Sequence, residues 1–75
     1  MLREASYHPT VMLRMKQVSE RTGLSRSTIY NKLDSSSPFH DPDFPRQVHL
    51  GRSTVAWVED EINEWLGKRI QQRNQ

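Results

Sequence analysis

The sequence contains no cysteine, so it has neither a disulfide framework nor a thiolate ligand for a zinc site. It also lacks an apolar run near the roughly 18 residues that a membrane-spanning helix needs. Its first residues have no apolar core like that of a secretory signal peptide. From these absences we expect a protein that is located in the cytoplasm and does not bind a membrane.

Catalytic and cofactor-binding patterns are missing as well. The three histidines, His8, His40 and His49, are scattered without ligand spacing, and the three glycines form no phosphate-binding loop. No set of serine, histidine and carboxylate stands out, and 75 residues are too few to enclose a catalytic cleft. We therefore expect no enzyme activity, no metal or other cofactor, and no small-molecule substrate.

The charge of the chain is unevenly distributed. The net charge is only +2, but residues 14–32 hold five basic residues against one acidic, whereas residues 34–66 hold two basic against seven acidic. A basic cluster of this kind is typical of a surface that neutralises nucleic-acid phosphates. A chain of this length forms one small domain, which we expect to span residues 11–70.

The basic cluster coincides with a helix, a tight turn and a second helix. A first helix is predicted for residues 16–22, and Gly23 ends it because glycine tolerates the left-handed conformation of helix ends. Ser25 is a suitable N-cap for a second helix at about residues 26–34, whose buried stripe contains Ile29 and Leu33.

This arrangement places a recognition helix in the major groove of double-stranded DNA. The polar and basic side chains predicted to contact DNA from the second helix are Arg26, Ser27, Thr28, Tyr30, Asn31 and Lys32. Lys16 and Ser25 are predicted to contact the DNA backbone. A plain αα-hairpin in some other small helical domain is the alternative that this segment by itself leaves open.

The flanking segments are predicted to be irregular or extended. Residues 1–10 have no periodicity and are interpreted as a flexible arm, and residues 11–15 alternate as a short extended segment would. Residues 35–45 contain three prolines and form a loop, with Phe44 anchored on the core and Phe39 undecided.

A β-hairpin is predicted where two alternating segments, residues 46–50 and 53–57, flank Gly51-Arg52. A type II′ turn there would pair Val48 with Val55, and would turn Val48, Leu50, Val55 and Trp57 toward the core. Such a hairpin beside a helix-turn-helix is a wing. Its predicted DNA contacts are His49, Arg52 and Thr54, although Arg52 is equally well explained as an exposed turn residue.

A third helix is predicted from a change of periodicity after the hairpin. Its apolar stripe comprises Val58, Ile62, Trp65, Leu66 and Ile70. Acidic residues in its first turn complement the helix dipole and so need no catalytic explanation. We expect Trp57 and Trp65 in the core and a frayed tail at residues 71–75.

The order of motifs resembles the AlpA family of phage and prophage regulators. The motifs are RMKQV at 14–18, TGLSRSTIY at 22–30, FPR at 44–46, VHLG at 48–51, VAW at 55–57 and EINEWL at 61–66. The resemblance implies a mainly α fold with a small β-hairpin, a MerR-like and excisionase-like winged helix-turn-helix with three helices and one wing. Family members commonly join the second helix to Phe-Pro through a short glycine-containing link, whereas residues 35–43 here are longer and proline-rich.

The resemblance also implies a function. It indicates a sequence-specific transcriptional regulator of a prophage or genomic island, associated with the bacterial nucleoid and binding DNA with further copies of itself. By position, it places the recognition helix at residues 26–34 and the wing at residues 46–57. An excisionase, which directs recombination, is the first alternative, and a protein-interaction module is the second.

Overall fold

The structure, a computed structural model, describes residues 10–73, so the predicted arm lies outside this range except for Thr10. Three helices and three short strands follow one another along the chain. They are β1 (Met12–Leu13), α1 (Met15–Thr22), α2 (Arg26–Leu33), β2 (Val48–His49), β3 (Val55–Val58) and α3 (Glu59–Gln72). This confirms the predicted mainly α architecture with a hairpin, which is compatible with a winged helix-turn-helix.

The turn between α1 and α2 is fixed by local hydrogen bonds. Gly23 adopts the left-handed conformation, with φ of 75°, and its N–H donates to the Ser19 carbonyl oxygen at 2.8 Å. The Ser19 hydroxyl donates to the Leu24 carbonyl oxygen at 2.6 Å, and the Leu24 N–H donates to Thr22 Oγ1 at 3.2 Å. The predicted glycine cap is therefore confirmed, and two side chains of α1 hold the turn in one conformation.

The three strands form one antiparallel sheet in the order β1-β3-β2. The central strand β3 pairs Val58 with Met12 and Trp57 with Leu13, so the extended segment predicted before α1 is an edge strand of the sheet. Leu13 and Trp57 are both buried, which fixes the side of β3 that faces the core.

The predicted register of the wing is wrong by one residue. Val48 pairs with Ala56 and His49 with Val55, and the Leu50 N–H donates to the Thr54 carbonyl oxygen at 2.8 Å. Three residues, 51–53, therefore form the tip. A type II′ turn requires a positive φ at its first central residue, and among residues 10–73 only Gly23 has one.

The shifted register changes which wing residues are buried. Val48 and Leu50 were predicted to face the core but are 37% and 53% exposed, whereas Ala56 was predicted to face outward and is fully buried. The physical reason is that a slip of one residue moves every side chain of β2 to the other face, so the three-residue tip places Val48 opposite Ala56 and not on the side of Trp57.

The core joins the three helices, strands β1 and β3, and the loop after α2. Its buried members are Leu13, Val18, Ile29, Phe44, Trp57, Ile62 and Trp65. The predicted burial of Phe44 and both tryptophans is thus confirmed, whereas Phe39 is 69% exposed. The stripe of α3 ends earlier than predicted, because Ile70 is 54% exposed.

The two ends of α3 also differ from the prediction. The helix begins at Glu59, because Val58 is the last residue of β3, and it continues through Gln71 and Gln72, which were assigned to a frayed tail. A hydrogen bond of 2.9 Å from Arg69 to Gln72 Oε1 supports this last turn. Among residues 10–73, no helix combines the length and apolar character needed to cross a membrane.

Candidate nucleic-acid interface

The outward face of α2 carries most of the DNA contacts that were predicted for this helix. Ile29 is fully buried against the core, which leaves Arg26, Ser27, Tyr30 and Asn31 exposed on the remaining surface of the helix. The structure therefore brings four of the six predicted recognition-helix residues to one accessible surface.

The first turn of α2 is pre-organised by its cap. The Ser25 hydroxyl accepts a hydrogen bond from the Thr28 N–H at 3.2 Å and lies 2.8 Å from Thr28 Oγ1. The predicted cap is confirmed, and it occupies polar atoms of Ser25 and Thr28, two residues that were also predicted to contact DNA. Arg26 stacks its guanidinium 5.4 Å from the ring centre of Tyr30, one helical turn away. This stacking orients two exposed side chains without desolvating the charge.

Asn31 is oriented by the loop that follows the helix. The Ser37 hydroxyl donates to Asn31 Oδ1 at 3.3 Å, so the side-chain amide of Asn31 is tied on one side. An asparagine can recognise adenine by donating and accepting one hydrogen bond each. The contact with Ser37 leaves the NH₂ group of Asn31 as an exposed donor and restricts the rotation of the side chain.

The basic residues of the α1–α2 region do not all belong to one open surface. Arg21 forms an ion pair of 2.7 Å with Glu59, which joins the end of α1 to the start of α3. Lys32 Nζ lies 5.5 Å from the ring centre of Trp65, so its charge is directed toward α3. Lys16 and Arg26 are exposed, and neither takes part in an ion pair within residues 10–73.

The three predicted wing contacts do not share one face. In the observed register His49 lies opposite Val55, on one side of the hairpin. Because side chains alternate along a strand, Thr54 is on the other side, together with Ala56. Arg52 is exposed at the tip. His49 and Arg52 are therefore accessible, and Thr54 is half-buried.

A groove lies between the C-terminal half of α2, the loop of residues 34–45 and strand β2. Its lining includes Tyr30, His40, Arg46, Gln47 and His49, so α2 and the wing meet across it. Gln47 Oε1 is buried there and has no hydrogen-bond partner within residues 10–73. The lining also includes two acidic residues, Asp34 and Asp41, so the groove is of mixed charge.

Two aspartates fix the loop: Asp34 stabilises its first turn, and Asp41 joins it to α2 and α3. The hydroxyl and then the backbone N–H of Ser36 hydrogen-bond to Asp34 and hold the pKa of that carboxyl below its usual value. Asp41 accepts hydrogen bonds from Trp65 Nε1 at 3.1 Å and from Arg69 at 2.9 Å. Its backbone N–H donates to the Lys32 carbonyl oxygen at 3.0 Å, just before α2 ends.

Sequence reasoning did not identify Ser37, Asp41 or Gln47 as residues of this region. Their roles depend on contacts made across the loop, and a loop has no periodicity from which such contacts could be inferred. The alternation of residues 46–50 is a signal that could have identified Gln47. The predicted register, however, placed the neighbouring Val48 in the core, whereas it is exposed.

The chain was also compared with known proteins. The family model described as "Prophage CP4-57 regulatory protein (AlpA)" matches residues 11–70. The chain is 45% identical over 58 residues to the "DNA-binding transcriptional activator AlpA" of Escherichia coli (strain K12), covering 77% of this chain and 83% of that protein. It is 41% identical over 58 residues to "Uncharacterized protein ORF88" of Enterobacteria phage P4, covering 77% of this chain and 59% of that protein. No match to a solved structure was found.

Proposed function

Since the chain belongs to the AlpA family of prophage regulatory proteins, we propose that it is a sequence-specific DNA-binding transcriptional regulator of a prophage or genomic island. The observation that carries the proposal is the exposed polar face of α2, mounted on a turn that Gly23, Ser19 and Thr22 hold in one conformation. The name of the Escherichia coli relative supports it as well.

In this proposal α2 enters the major groove and the wing lies beside it. Arg26, in the first turn of α2, reaches a guanine edge, and Asn31 reaches an adenine in the following turn. Ser27 and Tyr30 contact bases or backbone nearby, and Lys16 and Ser25 contact phosphates. Arg52 at the wing tip and His49 beneath it extend the contact to the adjacent backbone or minor groove.

One domain of this size covers a short stretch of duplex, which is too little for the specificity that regulation in a genome needs. Several copies therefore bind neighbouring repeats on the DNA, and the protein acts at the bacterial chromosome within the nucleoid. The family resemblance and the fold provide no reason to assign it a reaction, a cofactor or a small-molecule substrate.

The experiment begins with selection of a cognate site from random duplexes, followed by titration of cognate and non-cognate DNA at several salt concentrations. We expect affinity to fall steeply as salt rises, and we expect Arg26→Ala to weaken cognate binding more than non-cognate binding, by about 1–3 kcal/mol. Lys68→Ala is the matched control, because Lys68 is an exposed basic residue that lies on α3 beside Glu64.

Two results would redirect the proposal. Indifference of binding to salt, or no selected site at all, would favour a protein-interaction module. Protection confined to a recombination attachment site, with strong bending of the DNA and no effect on a reporter promoter, would favour an excisionase. Equal losses on cognate and non-cognate DNA would reduce Arg26 to a phosphate contact.

A further inference from the structure

The loop after α2 exposes a large aromatic side chain. Phe39 is 69% exposed, more than any other large apolar side chain among residues 10–73. The exposure has no structural benefit, because burying an aromatic ring of this size is favourable and the nearby Phe44 is almost fully buried. An exposed Phe is suited to apolar contact with a DNA base, such as with the methyl group of thymine.

Phe39 is presented by an ordered segment. The Phe39 N–H donates to the Ser37 hydroxyl at 3.1 Å, and the His40 N–H donates to the Ser37 carbonyl oxygen at 3.1 Å. Beyond it, the Asp41 side chain is bonded to Trp65 and Arg69. Because both ends of this short segment are anchored, little conformational entropy is lost when Phe39 contacts a partner.

The anchoring also sets the position of Phe39 relative to the recognition helix. The Ser37 hydroxyl that supports Phe39 is the same group that donates to Asn31 Oδ1. Asn31 is exposed on α2, one helical turn after Ser27, so the two share the outward face of the helix. The loop apex therefore continues this face beyond its C-terminal half.

We propose that Phe39 is a third DNA-reading element, which contacts the 5-methyl group of a thymine in the major groove next to the base contacted by Asn31. This inference rests on the proposed function. The thymine methyl is the apolar group on the major-groove edge of a base pair, and an aromatic side chain is a suitable partner for it. Continuity with the face of α2 favours duplex DNA over a protein as the partner.

The test replaces each thymine of the selected site by deoxyuridine, which removes only the methyl group. Wild-type affinity should fall about fourfold at one position, the effect of one buried methyl group. For Phe39→Ala, thymine and deoxyuridine should bind equally at that position. Phe39→Leu should retain part of the discrimination, and Ile70→Ala, which truncates another exposed apolar side chain, should retain all of it.

The results separate this inference from the proposed function. Sequence-specific binding with no deoxyuridine effect that depends on Phe39 would overturn the inference alone. Loss of self-association in Phe39→Ala, with thymine discrimination intact, would also overturn it and would assign Phe39 to contacts between copies. Absence of sequence-specific binding by the wild-type protein would overturn the proposed function and the inference together.

Discussion

The indole N–H of Trp65 donates a hydrogen bond of 3.1 Å to the Asp41 carboxylate, across 24 positions of the chain. Arg69 pairs with the same oxygen at 2.9 Å, and the rings of Phe44 and Trp65 pack in a T-shaped arrangement with their centres 5.0 Å apart. These contacts join the loop after α2 to α3. They hold the loop, and through it the groove beside α2, in one arrangement.

Because of Asp41, the free energy of unfolding should depend on pH. Burial raises the pKa of Asp41, but hydrogen bonds from the Asp43 N–H, Trp65 and Arg69 together hold the pKa below its usual value. A lowered pKa in the folded state means that the stabilisation is present above about pH 4, the unfolded value, and is lost as pH falls through the folded value. Urea unfolding measured from pH 7 downward will follow this loss.

Asp41→Asn should reduce the free energy of unfolding at pH 7 by about 1–3 kcal/mol. The difference from the wild type should shrink at low pH, where the wild-type carboxyl is protonated too. Glu64→Gln, an exposed change in the middle of α3, should stay within about 0.5 kcal/mol of the wild type at every pH. A constant difference between Asp41→Asn and the wild type would show that the charge is unimportant.

Two glycine substitutions should have opposite effects. At Gly23 an added Cβ meets nothing within 4 Å, but φ is +75°, so Gly23→Ala should cost about 1–2 kcal/mol through backbone strain. At Gly67 a Cβ also meets nothing within 4 Å, and the residue lies inside α3, so Gly67→Ala should stabilise by about 0.5–1 kcal/mol. If thermal unfolding showed that both substitutions raise, or both lower, the stability, the left-handed cap at Gly23 would be contradicted.

Trp57 is the residue whose truncation should be most damaging. It is fully buried, and its Nε1 donates to the Pro45 carbonyl oxygen at 3.2 Å. Trp57→Ala should cost about 3–5 kcal/mol. Trp57→Phe should cost less, since a phenyl ring keeps most of the packing and loses the hydrogen bond and part of the buried volume. The folded protein should show blue-shifted tryptophan emission that moves to the red on unfolding. Red-shifted emission from the folded protein would contradict the burial of the tryptophans in the core.

Removing the charge of Lys16 and that of Lys32 should have different effects on protein stability. Lys16 is exposed, so Lys16→Met should lower the salt slope of DNA binding by about 0.9 units without changing stability. Lys32 lies over Trp65, so Lys32→Met should also lower stability, by about 0.5–1 kcal/mol, through the lost cation–π contact. An unchanged salt slope in Lys32→Met would remove this residue from the DNA-contacting set.

The helices and the turn between α1 and α2 were predictable because their signals are local. Gly23, Ser25 and the apolar spacing of Ile29 and Leu33 act over three or four residues, and the structure agrees at each. The same reasoning placed Trp57 and Trp65 in the core, since large apolar side chains in a domain of this size have few alternatives. The motifs of residues 14–66 were also sufficient to indicate the family.

The amino-acid sequence by itself thus determined the helix-turn-helix, the burial of Phe44 and both tryptophans, and the family. Only the tertiary structure decided the wing register, because two registers that differ by one residue are both compatible with the alternation of residues 46–57, and the observed pairing has a three-residue tip where Gly51-Arg52 favoured a two-residue turn. Contacts across the loop decided the surroundings of Asn31 and Lys32 in the same way. Ser37, the partner of Asn31, lies in a loop without periodicity, and Trp65, the partner of Lys32, is 33 positions away in the sequence. No local sequence rule could therefore have predicted either contact.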